Sequence, residues 1–202
     1  MIRTLSSLAL SALIGYLLGC SNMALYLSKL KGIDLRRTGS KNLGTCNTFL
    51  TLGFGWSVLV FLHDAGKAAL AIWLCRKLFA DVPMVSYVAG TAAVIGHIFP
   101  FYLHFRGGKG FAAYLGMILI LNWRFALVIL LSVALLTLVT NYIVVGTVTT
   151  VVSYPVFTAF ATHSLIAVAV LCLATAVILC KHHENFVRIA NGTETGLLHK
   201  KE

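Results

Sequence analysis

The feature that most limits what this chain can become is a series of apolar stretches, several as long as a bilayer is thick. Seven can be read, at roughly residues 5–27, 54–79, 83–103, 111–122, 125–140, 142–161 and 163–180. A helical crossing needs about 20 predominantly apolar residues, and hydrocarbon offers the backbone no hydrogen-bond partner, so such stretches close their bonds internally as helices. Of the 202 residues, 59% are hydrophobic and 11% charged, against about 25% charged in a soluble domain. The sequence predicts an all-α integral membrane protein of about seven transmembrane helices, in a single polytopic domain covering 1–202. Segments 111–122 and 125–140 fall short of a full crossing and are expected as short, tilted or re-entrant helices covered by protein.

The net charge of +10 would suit nucleic acid if it lay on one soluble face, but it is distributed by loop. Lys29, Lys31, Arg36, Arg37 and Lys41 follow the first apolar stretch, Arg106 and Lys109 the third, and Lys181, Arg188, Lys200 and Lys201 the last. Seven crossings bring these clusters to one side, which the positive-inside rule makes cytoplasmic. Eleven of the sixteen Lys and Arg residues then lie inside, with the N-terminus outside and the C-terminus cytoplasmic. A five-crossing arrangement with one re-entrant hairpin keeps the same parity. No nucleic-acid partner is expected.

Leu17-Leu18-Gly19-Cys20 imitates a lipoprotein cleavage box, yet the apolar run continues through Met23 to Leu27, which a short signal core does not need. A retained first helix is expected, with Gly15 and Gly19 as a packing face. Asn191-Gly192-Thr193 fits a glycosylation pattern but falls in a tail placed inside. The five cysteines show no Cys-x-x-Cys or Cys/His spacing, so inert thiols, no metal and no cofactor are expected.

Chemistry concentrates in three polar segments. In 96–110, Gly96-His97-Ile98-Phe99-Pro100 runs on to Phe105-Arg106-Gly107-Gly108-Lys109-Gly110. A Gly-Gly-Lys-Gly turn offers backbone N–H groups beside a mobile cation, which suits a phosphate oxygen; a charged loop that fixes topology is the alternative. The segment 33–48 carries hydroxyls, amides and glycines able to donate to an oxyanion, or forms a solvated linker rich in turn residues. In 181–194, Lys181-His182-His183-Glu184-Asn185 precedes Arg188, Gly192 and Glu194, a pattern also fitting cations at a helix C-terminus. Within the second apolar stretch, Asp64 and Lys67 are three apart and can pair on one helical face beside His63. Intramembrane charges mark function by default.

Taken in order, Gly-Ser-x-Asn-x-Gly-x-x-Asn, then Gly-His-x-Phe-Pro with Phe-x-Gly-Gly-Lys-Gly, then His-x-Glu-Asn with Gly-Thr-Glu resemble the bacterial acyl-phosphate:glycerol-3-phosphate acyltransferases, the PlsY family. The likeness includes the Tyr16-Leu17-Leu18-Gly19 helix and the Lys31-Gly32-Ile33-Asp34-Leu35-Arg36 lead-in. It implies an inner-membrane enzyme of phospholipid synthesis that moves a fatty acyl group from acyl phosphate to the 1-hydroxyl of glycerol 3-phosphate, releasing lysophosphatidic acid and phosphate. By the same resemblance, Ser40 binds substrate phosphate in a pocket formed by Asn42, Gly44 and Asn47. Lys109 and the amides of Gly107, Gly108 and Gly110 cradle the acyl phosphate and stabilise charge on the carbonyl oxygen. His182 and Asn185 orient the acceptor, and Glu194 holds the fold. His97 is either an active-site donor or a buried helix-end histidine bonded to backbone. Asp64 and Lys67 are structural or supporting. The base is the donor's own phosphate or His182.

The chain departs from the family pattern in the first segment. Leu50 stands where the family carries an arginine for substrate phosphate, Cys46 where threonine is usual, and Leu43 where proline or isoleucine is common. A lost charged hydrogen bond costs on the order of 1.5–3 kcal/mol, so Lys41 or Lys67 compensates, or the acceptor differs, or activity is weak, or the chain is a divergent paralogue that only binds lipid. A transporter for a phosphorylated solute is the alternative of another class, but no inverted repeat is visible.

Overall fold

Glycine sets how closely the first helices approach one another. The structure, a computed structural model, describes residues 2–196. Its helices fall into two compact groups, one ending at Leu121 and the other starting at Asn122. Among the described residues every regular element is helical. All five cysteines are free thiols, and among the described residues no group of histidine, cysteine and carboxylate side chains could hold a metal.

In the first group, α1 (Ile2–Cys20) and α2 (Met23–Lys31) are followed by α3 (Thr45–Leu52), α4 (Phe54–Leu78), α5 (Val85–Ile98) and α6 (Phe111–Leu121). A Cβ at Gly15 or Gly19 of α1 would run into the backbone carbonyls of Ala89 and Ala93 on α5, and one at Gly96 into that of Tyr16. The two backbones therefore touch, the contact that small residues permit between helices in lipid. Gly116 of α6 meets the Ala65 carbonyl of α4 in the same way. Helix α4 lies at the centre, against α1, α2, α3, α5 and α6.

The first apolar stretch is not one helix. Asn22 is buried and caps α2, its Oδ1 accepting from the Leu25 amide at 2.9 Å, so the chain breaks at Ser21–Asn22. Pro100 ends the third stretch after α5, and a short 3₁₀ turn, Phe101–Leu103, follows. Tyr102 Oη donates to the Cys20 carbonyl at 2.6 Å and Tyr16 Oη to that of Phe99 at 2.9 Å. With Cys20 buried, the lipoprotein-like box is the packed end of α1.

The second group holds α7 (Trp123–Thr140), α8 (Ile143–Thr162), α9 (Leu165–Lys181) and α10 (His183–Ala190). Five stretches are long and apolar enough to cross a membrane: Ile2–Lys31, Phe54–Leu78, Val85–Leu103, Trp123–Thr140 and Ile143–Thr162; the bent α9–α10 pair makes up to six. Of the two stretches expected to fall short, 123–140 is a full-length candidate. Helix α6, with 11 residues, reaches only about 16 Å at 1.5 Å per residue and is buried from Ala113 to Ile118. Many large apolar side chains, Leu131, Val139 and Leu165 among them, are exposed, as a lipid-facing surface requires.

Pro155 interrupts α8, removing the N–H that would bond the Val151 carbonyl four residues back. Thr175 Oγ1 of α9 donates to that carbonyl at 2.7 Å, supplying the missing partner.

Two predictions follow from these contacts, both read as thermal unfolding in detergent. Gly19→Ala is expected to lose about 1–3 kcal/mol through overpacking, whereas Gly66→Ala, where a methyl meets nothing within 4 Å, is neutral or stabilising by about 0.5–1 kcal/mol. Thr175→Val should lose about 1 kcal/mol, and Pro155→Ala should cancel that loss by restoring the intrahelical donor. An additive double mutant would contradict the pairing.

Candidate active site

The polar segment between α2 and α3 is folded around one buried amide. Asn47 Nδ2 donates to the carbonyls of Leu35 at 2.8 Å and Thr38 at 3.1 Å, and Oδ1 accepts from the Ser40 amide at 2.7 Å. Gly39, at φ +57, leaves no room for a Cβ against Asn47 Oδ1. Asn47 is therefore occupied in shaping the loop that carries Ser40. The Ser40 hydroxyl is exposed and has no hydrogen-bond partner among the described residues. Thr45 Oγ1, at the start of α3, is buried and unpartnered among them too. Arg36 donates to Asp34 from Nε at 3.0 Å, and this bond holds the Asp34 carboxyl below its usual range. Lys41 is exposed beside Ser40 at φ +58. Gly44 is buried at the N-terminus of α3, and Asn42 lies beside it, with Nδ2 3.0 Å from the place of a Gly44 Cβ.

The second segment is stapled to the end of α5. The Gly107 amide donates to the Ile98 carbonyl at 3.0 Å and the Gly108 amide to that of His97 at 3.1 Å. These amides satisfy carbonyls that a helix end leaves open, so they do not cradle an anion, contrary to the expectation from the motif. Gly110, at φ +92, leads into α6, and no such bond occupies its amide. Lys109 is half-buried between them. A Cβ on Gly108 would strike His97 Nε2 and lie 2.6 Å from the Leu43 carbonyl. The loop carrying Ser40 and the turn carrying Lys109 therefore converge at Gly108.

Beneath this junction lies a buried network. Lys67 Nζ donates to the Ser21 carbonyl at 2.6 Å, to Asp64 Oδ1 at 3.0 Å and to His97 Nδ1 at 2.7 Å. His63 lies 3.2 Å from Asp64 through Nδ1 and 2.9 Å from Ser21 Oγ through Nε2, and Tyr26 Oη is 3.1 Å from the same hydroxyl. The Asp64–Lys67 pair expected from spacing is present. His97 is buried, and its Nδ1 meets the Lys67 and Asp64 side chains rather than a backbone carbonyl. With three acceptors around its three N–H bonds, Lys67 cannot replace the missing arginine. Ser21, whose carbonyl completes this shell, carried no charge or motif to mark it; the signal was the polar Ser21-Asn22 pair inside an apolar run.

In the second group, α9 passes into α10 at His182 with a 46° bend. His182 is buried, and its Nδ1 lies 2.8 Å from the Ile178 carbonyl. Asn185 Nδ2 donates to Glu194 Oε1 at 2.5 Å and Arg188 Nε to Glu194 Oε2 at 2.6 Å, so Glu194 ties the tail back onto α10. Lys200 and Lys201 lie outside the described residues.

The sequence profile of the glycerol-3-phosphate acyltransferase family matches residues 9–192. The chain belongs to this family. It is 38% identical to the glycerol-3-phosphate acyltransferase of Trichlorobacter lovleyi over 89% of this chain and 92% of that one. It is 40% identical to the Synechococcus sp. (strain CC9902) enzyme of the same name, over 94% of each chain. The crystal structure of PlsY (YgiH), an integral membrane glycerol 3-phosphate acyltransferase, in its glycerol 3-phosphate form, superposes with a TM-score of 0.87 at 31% identity, covering 97% of this chain and 96% of that one. Its lysophosphatidic acid form gives 0.84 at 30% identity. The protein is thus a multi-pass membrane acyltransferase of phospholipid synthesis.

Gly108→Ala is expected to push His97 and the Leu43 carbonyl apart and to lower acyltransferase kcat/KM about tenfold, or ~1.4 kcal/mol, with the size-exclusion profile unchanged. Full activity would show that the junction tolerates a methyl.

Proposed function

We propose that the protein transfers a fatty acyl group from acyl phosphate to the 1-hydroxyl of glycerol 3-phosphate at the cytoplasmic face of a bacterial inner membrane. The observation that carries this reading is the convergence at Gly108 of the Ser40 loop and the Lys109 turn, in a chain similar to structures of PlsY with glycerol 3-phosphate and lysophosphatidic acid forms. An acyl phosphate is a mixed anhydride with a good leaving group. The acceptor oxygen attacks the carbonyl, the bond from carbonyl carbon to phosphate oxygen breaks, and the hydroxyl proton passes to the departing phosphate, directly or by way of a protein base. What catalysis requires is placement of two anions and stabilisation of developing charge.

Lys109, the Gly110 amide and the first turn of α6 are assigned to the donor's phosphate. Ser40, with Lys41 beside it and the buried Thr45 hydroxyl, is assigned to the acceptor's phosphate, in a pocket shaped by Asn42, Gly44 and Asn47. A buried hydroxyl without a partner calls for one, and a phosphate oxygen qualifies. His182 and Asn185 are assigned to the acceptor's reacting hydroxyl. Proton transfer to the donor's phosphate is one route; His182 as base is the other. His182 Nδ1 donates to the Ile178 carbonyl, which fixes the neutral ring's tautomer. The basic residues of the two loops in the first group support the cytoplasmic assignment.

A second reading, a relative with a different phosphorylated acceptor, is favoured by Leu50, an apolar side chain on α3, together with the full engagement of Lys67. Phosphate release from palmitoyl phosphate and glycerol 3-phosphate by the purified protein separates the readings. Turnover is expected, with Lys109→Ala and Ser40→Ala each lowering kcat/KM about 100-fold or more. Leu50→Arg should reduce the KM for glycerol 3-phosphate roughly tenfold, and Lys41→Ala should raise it. No release with glycerol 3-phosphate, but release with another phosphorylated alcohol, would establish the second reading.

A further inference from the structure

The connection between α4 and α5 borders a cavity outside the candidate active site. Helix α4 has 25 residues, about 37 Å at 1.5 Å per residue. Its first turn follows the segment of Ser40 and α3, and Arg76 stands in its last turn. The cavity therefore lies at the far end of α4 from the Ser40 loop. It measures about 440 Å³ and is lined by Arg76, Ser86 and Tyr87 together with the apolar Val82, Pro83 and Leu121. This is the size of a small-molecule site, with few polar groups on an apolar wall.

Those polar groups are donors, and they come from two helices. Arg76 Nε donates to Ser86 Oγ at 2.8 Å, and its NH1 group to the Ile120 carbonyl at 3.4 Å. These bonds tie α4 to α5 and α6 and hold the guanidinium in place. A guanidinium carries five N–H donors in a planar fork, so three remain beyond those two bonds. The Ser86 oxygen accepts from Arg76, which leaves the hydroxyl proton to give. Helix α5 begins after Met84, which sits at φ +73 and supplies no side-chain cap. The first-turn amides of Val85, Ser86 and Tyr87 have no partner within their helix, and no backbone carbonyl outside it takes them. Asp81, the carboxylate of the same connection, does not line the cavity. A guanidinium and a helix start facing one cavity favour an anion. Trp73, three residues before Arg76 on the same helical face, is exposed, an aromatic anchor of the kind that lies at headgroup level.

We propose that this cavity is a phospholipid site separate from the candidate active site. Arg76, Ser86 and the first turn of α5 bind the phosphate of a lipid in the leaflet remote from the Ser40 loop. Val82, Pro83 and Leu121 cover the glycerol and the start of its acyl chains. The phosphodiester offers two unesterified oxygens, which match the guanidinium fork. Because Arg76 already joins α4, α5 and α6, a lipid held on it stabilises the first helix group by mass action.

The test uses purified full-length protein in a neutral detergent, with phosphatidylglycerol as the probe. Native mass spectrometry is expected to show one lipid fewer in Arg76→Gln than in the parent protein, with affinity lowered about tenfold or more. Lys109→Ala, at the other end of the fold, should keep the parent's lipid count. Phosphatidylglycerol should raise the unfolding midpoint of the parent but not of Arg76→Gln, and diacylglycerol should raise neither. Ala80→Trp fills the cavity from its wall with Arg76 intact, and should lose the same lipid while keeping its size-exclusion profile. An equal lipid count in the parent and a folded Arg76→Gln protein overturns the proposal. Retention of the lipid by Ala80→Trp overturns the cavity as its seat. A rise in midpoint with inorganic phosphate as large as with the lipid overturns the lipid as occupant, in favour of a free anion.

Discussion

Backbone contact between α1 and α5 is the constraint from which the rest of the first helix group follows. In hydrocarbon there is little hydrophobic gain from joining two apolar helices, and close approach has to supply the attraction. Gly15, Gly19 and Gly96 allow it. With α1 at that distance, the break at Ser21–Asn22 comes over α4, and the Ser21 carbonyl comes within reach of Lys67. The end of α5 is fixed by the same contact, so His97 meets Lys67 and the following turn folds back onto the last carbonyls of α5. A stripe of three glycines thus determines where an imidazole sits.

Much of this was legible in the sequence. The apolar stretches announced helices, the Gly15–Gly19 spacing a packing face, and the Asp64–Lys67 spacing an ion pair, because each depends on a local period of the helix. Motif order exposed the family for the same reason that order survives in a chain. What could not be read was which partner each polar group takes. Gly107 and Gly108 have the composition of an anion cradle, but the unpaired carbonyls at the end of α5 compete for their amides and win. Asn47 belongs to a donor-rich segment, yet its amide turns inward, because a loop with left-handed bends at Gly39 and Lys41 needs an internal template. Lys67 looked available as a cation until its three acceptors were known.

These corrections redistribute the work of anion binding. With the Gly107 and Gly108 amides closed and the arginine position occupied by Leu50, fewer fixed donors remain than the motifs promise. In the proposed function, charge on lysine side chains and the start of α6 carries more of the task. A lysine is a compact, flexible point charge, whereas arginine presents a rigid fork matched to phosphate. Anion sites proposed on lysines select for charge more than for geometry.

The Val151 carbonyl bears on how the second helix group is made. Helix α8 cannot satisfy this carbonyl itself, because Pro155 has no N–H to give it, and its partner, Thr175, belongs to a helix synthesised later. A solitary α8 entering the bilayer carries an open acceptor into hydrocarbon until α9 follows. The cost falls away when both enter together, so this proline and this threonine favour delivery of α8 and α9 to the membrane as a hairpin.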